Sequence, residues 1–213
     1  MKPVSWISRK ILTACLRARL RIRAATVRER YTALALACLA LLAACVQPKP
    51  LPVLGQVAPF QLIDQAGRPF DSQSLAGHVW VADFIYTTCP GPCPMMSSHL
   101  HQVQTRTEET PDVKLVSFTV DPAHDLPPVL AAYAKHFMAD PARWSFLTGD
   151  AAQLNDIGLH SFHLNSVDGS TSHSTRFALV DRQMRIRGYY STAEDDFMPQ
   201  LLHDIRQLER QSR

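Results

Sequence analysis

Apolar residues recur along this chain with two different spacings, and the switches between them predict its elements. Residues 79–86 form an almost unbroken apolar run that reads as a buried strand. Beyond Pro94, Met96, Leu100 and Val103 fall at i, i+4 and i+7, one face of a helix. Residues 114–120 predict a second strand, ending at Asp121-Pro122. Asp125 is positioned to cap a helix that opens at Pro127-Pro128, with Leu130, Tyr133 and Phe137 turned inward. A short strand over 144–147 and a helix over 153–159 follow, then a polar, glycine-containing loop over 165–175. Residues 177–180 and 185–190 predict paired strands about a turn at Asp181-Arg182. Phe197, Leu201, Ile205 and Leu208 mark a closing amphipathic helix. Ahead of all these, 60–64 and 68–70 predict a hairpin turning at Gly67, and Leu75-Ala76-Gly77 ends that segment.

The formal net charge of +3 misleads, because its distribution is uneven. Residues 1–45 hold nine of the 22 Lys and Arg and one of the 19 Asp and Glu. The remainder has 13 basic against 18 acidic side chains, a net of −5, which argues against a nucleic-acid partner. Residues 31–44 are apolar throughout but number only 14, short for a membrane span and suited to the core of a signal peptide. The run ends Leu41-Leu42-Ala43-Ala44-Cys45, which resembles the lipobox of bacterial lipoproteins. That resemblance implies cleavage before Cys45 and lipidation of its thiol; an uncleaved anchor or a plain signal peptide are the alternatives. Residues 47–59 contain four prolines and one glycine and read as an extended tether. The predicted organisation is therefore a leader over 1–45, a tether over 46–59 and one domain over 60–213.

Cysteine placement sharpens the picture. Of five cysteines, Cys15 and Cys38 lie in the leader and Cys45 at its end, leaving Cys89 and Cys93 in the body. A lone pair makes a site rather than a disulfide scaffold. The pair stands in Thr88-Cys89-Pro90-Gly91-Pro92-Cys93-Pro94, just after the first buried strand. Pro90 and Pro92 oppose helix through the turn, whereas Pro94 suits a first helical turn. Cys89 is thus expected on a loop and Cys93 at a helix N-terminus, where partial positive charge favours a thiolate. Two thiols held on such a corner can bind a soft metal or open and close as a disulfide. A purely structural disulfide is the bland alternative, since bridging so short a loop restricts the unfolded chain little.

These residues resemble the signature of the Sco/SenC family, copper-handling proteins with a thioredoxin-like fold. The similarity continues through Phe118-Thr119-Val120-Asp121-Pro122, Asp125, Tyr133, residues 144–149 and Ser172-His173-Ser174. It implies an α/β, thioredoxin-like three-layer architecture: a central mixed sheet with an extra N-terminal hairpin. It further implies that Cys89, Cys93 and His173 bind copper, as Cu(I), Cu(II) or both. Such a ligand set is chemically sensible, because thiolates suit Cu(I) and imidazole accommodates Cu(II). The expected role is a metallochaperone of the cell envelope, facing the periplasm and held by a lipid anchor. Its expected partner is the CuA site of cytochrome c oxidase or another cuproprotein.

A second reading is a thiol–disulfide oxidoreductase that reduces partner cysteines. Asp83, six residues before Cys89, resembles the buried aspartate of thioredoxins; if buried, its pKa should rise and it could accept a proton. The alternative for Asp83 is a structural carboxylate bonded within the sheet. Against exchange chemistry, residues 171–176 lack the proline that thioredoxin-type reductases place before the corresponding strand. Peroxidase activity is disfavoured because the peroxidatic T-x-x-C pattern with its upstream proline is missing. His99 and His101 are expected to face solvent, Met95 and Met96 to fill core, and His160 and His163 to be auxiliary ligands at most. Asp121-Pro122 should shape the end of its strand without touching metal.

Overall fold

The computed structural model describes residues 49–110, 112–164 and 174–211. The chain divides into a unit over residues 1–49 and a unit over 50–213, and the second carries every element below. Its strands are β1 (Gly55–Gln56), β2 (Gln61–Asp64), β3 (Pro69–Asp71), β4 (Val79–Ile85), β5 (Val113–Thr119), β6 (Trp144–Thr148), β7 (Arg176–Val180) and β8 (Arg185–Ser191). They form one mixed sheet in the order β1-β8-β7-β4-β5-β6-β2-β3. The helices are α1 (Pro92–Arg106), α2 (Pro127–His136), α3 (Ala151–Asp156) and α4 (Phe197–Arg210), with a π-helical turn, Ile157–Ser161, prolonging α3.

All seven residues of β4 are buried, which is why its sequence shows no alternation. It runs parallel to β5, which runs parallel to β6, and antiparallel to β7. Successive side chains of a strand point to opposite faces, and the partners reveal which is which. Trp80 and Phe84 meet Phe162, which follows the π-helical turn, at 5.9 and 5.6 Å between ring centres. Asp83 projects the other way, toward the layer of α1 and α2. These two helices are joined by the hydroxyls of Ser97 and Tyr133, 3.0 Å apart. Tyr133 also sets its ring edge-on to Phe146 of β6. Two helical layers around a mixed sheet, with a hairpin added through β2 and β3, give the thioredoxin-like architecture that the sequence implied.

The β2–β3 hairpin turns at Gly67, as expected, with φ of 75°. The Asp64 carboxylate fixes that turn by accepting from the amides of Ala66 and Arg68, both at 2.9 Å. A Cβ on Gly67 would meet nothing within 4 Å, so only its backbone conformation opposes a side chain. Gly67→Ala should therefore cost about 1 kcal/mol, the penalty of a left-handed conformation for an L-residue, read as a lowered urea midpoint.

Three expectations change. Residues 50–59, expected within the tether, are docked on the sheet through β1 and its flanks. β1 pairs with β8, Leu54 and Val57 donate their amides to the carbonyls of Ile186 and Met184, and Val57 is buried. Pro92 does not oppose the helix but occupies its first position, where a missing amide hydrogen costs nothing. Asp125 does not cap α2, whose N-cap is Leu126 without a side-chain bond. Its carboxylate is engaged elsewhere, at the cysteine corner.

Candidate metal and dithiol centre

The corner begins where β4 ends. The amide of Cys89 donates to the Tyr86 carbonyl at 3.2 Å, closing a turn, and Gly91 then leads into α1. Cys93 lies in the first turn of that helix and is fully buried; Cys89 is 6% exposed. Both side chains are thiols in this structure, and Cys93 is in hydrogen-bonding contact with Cys89. Two sulfurs are thus brought together at the strand-to-helix turn.

The electrostatics run against the helix-end expectation. Burial pushes the Cys93 thiol well above its ordinary pKa, and the nearby Cys89 and Asp83 add to the rise. The Tyr86 backbone works in the opposite direction. A helix N-terminus contributes at most about 2 kcal/mol, whereas desolvation of a buried group shifts its pKa by up to about 3–5 units. Burial wins, so Cys93 rests as a thiol and loses its proton only to a metal or a base.

Beneath the sulfurs lies a buried polar cluster. Asp83 is completely buried, and burial raises its pKa to about 7. Neither of its carboxylate oxygens has a hydrogen-bond partner among the described residues. Ser117, its register partner on β5, eases that rise without forming a well-directed bond, and the Ser117 hydroxyl accepts from Trp144 Nε1 at 3.0 Å. The Tyr133 hydroxyl shares the enclosure: burial raises its pKa, and Asp83, Cys93 and Cys89 add to that. The sequence singled out Asp83 but missed the Ser97–Tyr133 pair. Only the inward spacing of Tyr133 on its helix hinted that its hydroxyl would need a partner.

Asp125 completes the corner from β5's side. Buried to 0% exposure, its carboxylate accepts from the Thr87 hydroxyl at 2.5 Å and from the Thr119 hydroxyl at 2.5 Å. The Thr87 amide donates to both of its oxygens, at 3.2 and 3.3 Å. Threonine two residues before the first cysteine is the available signal, although nothing in the spacing names its acceptor.

Other candidates fall in different places. His173 and Cys45 lie outside the described residues. Among the described residues, no group of three or more His, Cys, Asp and Glu side chains could hold a metal ion. Met96 fills core as expected, but Met95 is 48% exposed on the first turn of α1. His99 and His101 do not face solvent freely: each is half-buried with Nδ1 enclosed, and the His99 ring stands edge-on to Phe197 at 5.0 Å. His160 is exposed and pairs with Asp156 at 2.8 Å, and His163 is exposed. Asp121 accepts from His124 Nδ1 at 2.9 Å, while its amide donates to Thr119 Oγ1, consistent with shaping the strand end.

Fold and corner together define a thioredoxin-like protein with a dithiol where its central strand meets its first helix. The SCO1/SenC family pattern matches residues 53–209, and the chain belongs to that family. It is similar to a solved SCO1/SenC family lipoprotein from Bacillus anthracis, with 31% identity, a TM-score of 0.69 and coverage of 76% of this chain and 99% of that one. BsSco, described as a Sco-family cytochrome c oxidase assembly protein with a disulfide switch, is 30% identical with a TM-score of 0.67, covering 75% and 97%. ScoI of Arabidopsis thaliana, solved with copper bound, is 25% identical with a TM-score of 0.61, covering 72% and 99%. Among the described residues no helix is long and apolar enough to cross a membrane.

Proposed function

We propose that this protein is an envelope copper carrier that takes its metal on Cys89, Cys93 and His173 and passes it to the CuA site of cytochrome c oxidase or another cuproprotein. The observation that carries this reading is the contact between the two buried sulfurs at one corner. The donor set fits: paired thiolates are soft ligands suited to Cu(I), and a third ligand from a separate loop would leave the metal open to transfer. The copper bound to Arabidopsis ScoI and the assembly role of BsSco support the assignment by kinship. Because both thiols must lose protons, loading releases protons and strengthens as pH rises. Oxidation of the pair by a partner disulfide, which takes up the two electrons, removes both sulfur donors and so releases the metal. Lipidation at Cys45, after removal of residues 1–44, would hold the carrier on a membrane facing the periplasm.

An anaerobic Cu(I) titration of the 46–213 fragment tests this. One copper per chain is expected, with Cys89→Ser and Cys93→Ser abolishing tight binding and His173→Ala weakening it at least tenfold. Wild-type affinity in His173→Ala would overturn the three-ligand site.

A second reading is favoured by one observation: the Asp83 carboxyl, with a pKa of about 7 and no hydrogen-bond partner among the described residues, lies within electrostatic reach of Cys93. A thiol–disulfide oxidoreductase needs such a base to take the proton of its buried thiol. If this is the main activity, Asp83→Asn slows reduction of a partner disulfide while His173→Ala leaves the rate unchanged.

A further inference from the structure

We infer that Asp125 is a positioning residue for the dithiol, holding Cys89 against Cys93 through Thr87. This rests on the reading of Cys89 and Cys93 as the working pair, whatever they carry. The carboxylate is fully buried and accepts from three donors on two stretches of chain: the Thr87 amide, the Thr87 hydroxyl and the Thr119 hydroxyl. Thr87 stands two residues before Cys89 on the segment leaving β4, and Thr119 ends β5. Asp125 belongs to neither, lying in the connection to α2. The sheet already fixes Ile85 beside Thr119, and the Asp125 amide donates to the Asp121 carbonyl at 2.9 Å; the carboxylate extends that hold past the end of β4 to Thr87, two residues short of Cys89.

Hydrogen bonds to an ionised acceptor are about twice as strong as neutral ones, and three converge here. A buried carboxylate is normally a liability, and this one is met by donors from Thr87 at the cysteine corner and Thr119 at the end of β5. The α2 cap that the sequence led one to expect is left without a side-chain bond. The chain thus forgoes a capped helix in order to fix the turn that presents Cys89.

Fixing that turn lowers the entropic cost of joining two sulfurs, whether by a bond or through a metal. Disulfide formation removes two electrons and two protons from the thiols, and in a dithiothreitol buffer both pass to the oxidised reagent. The clamp should consequently favour the disulfide relative to a corner whose loop is loose.

The test measures the Cys89/Cys93 couple in the full chain, equilibrated with reduced and oxidised dithiothreitol and read by alkylation at peptide level. Asp125→Asn is nearly isosteric but can no longer accept from all three donors. It should destabilise the disulfide about tenfold, a shift of about 30 mV for a two-electron couple. Asp64→Asn is the control, since Asp64 also accepts backbone amides but in the edge hairpin. It should lower stability and leave the couple unchanged. Should Asp125→Asn fail to fold by circular dichroism, Thr119→Val removes one donor of the clamp and should shift the couple in the same direction. A couple within twofold of wild type in the folded variant, or an equal shift in Asp64→Asn, would overturn the inference. Neither result depends on copper binding, so a failed metal titration leaves this measurement decisive.

Discussion

Replacing Asp83 by Asn should stabilise the protein by about 4 kcal/mol at pH 8 and by almost nothing below pH 3.8. The carboxyl is completely buried without a hydrogen-bond partner among the described residues, and burial raises its pKa from 3.8 to about 7. Below 3.8 it is protonated folded and unfolded alike, so it costs nothing extra. Between 3.8 and 7 the unfolded chain releases the proton while the folded chain retains it, so the unfolded state binds fewer protons and stability falls as pH rises. Above 7 both states are ionised and the loss is complete; about three pKa units correspond to about 4 kcal/mol. Asn stands in for the protonated acid and stays neutral throughout. Urea unfolding of both proteins in dithiothreitol, from pH 4 to pH 8, should give curves that diverge upward for the variant. Parallel curves would mean that the carboxylate has a partner that compensates its charge. A buried carboxyl with that cost near neutral pH does not serve stability, which is why a role in proton transfer merits the exchange assay.

Local pattern made most of the architecture legible. β4 was readable because burial on both faces removes alternation, and α1 because Met96, Leu100 and Val103 keep helical spacing and are all fully buried. The hairpin at Gly67 followed from turn chemistry, and the cysteine corner from the prolines around it. What the chain did not disclose depends on contacts between distant segments. Asp125 before Pro127-Pro128 has the local look of a helix cap, yet its carboxylate is taken by two threonines, one on the segment leaving β4 and one at the end of β5. Cys93 sits at a helix N-terminus as expected, but depth of burial, invisible in a one-dimensional pattern, reverses the expected effect on its proton. The histidines of α1 looked polar and outward because Phe197, which covers His99, lies almost a hundred residues away.

The same blindness explains the supposed tether, and it leads to the second large expected effect. Proline richness in residues 47–59 predicts an extended segment but says nothing about docking. Docking is supplied by Arg187 on β8, only 6% exposed, which donates through Nε to the Pro52 carbonyl at 2.8 Å and through Nη2 to the Leu51 carbonyl. Its Nη1 meets the buried Asp181 carboxylate at 2.6 Å. Burial alone would raise the Asp181 pKa, but Arg185 and Arg187 override it and hold the group below its usual range. Arg187→Ala would remove the donor to the Leu51 and Pro52 carbonyls and leave Asp181 with Arg185, whose side chain is 38% exposed. Breaking a buried pair from one side costs about 3–5 kcal/mol, and the surviving Arg185 contact places the expected loss near 3. Because β1 is only two residues long, its pairing and the Leu54 and Val57 amide bonds hold it more weakly to β8 without that anchor, so protease cleavage within residues 51–57 should accelerate at denaturant concentrations too low to unfold the domain. Arg187→Lys should recover the charge but not the fork that reaches both carbonyls, restoring stability more than protection from cleavage. Unchanged cleavage in Arg187→Ala would show that the strand pairing alone secures this segment.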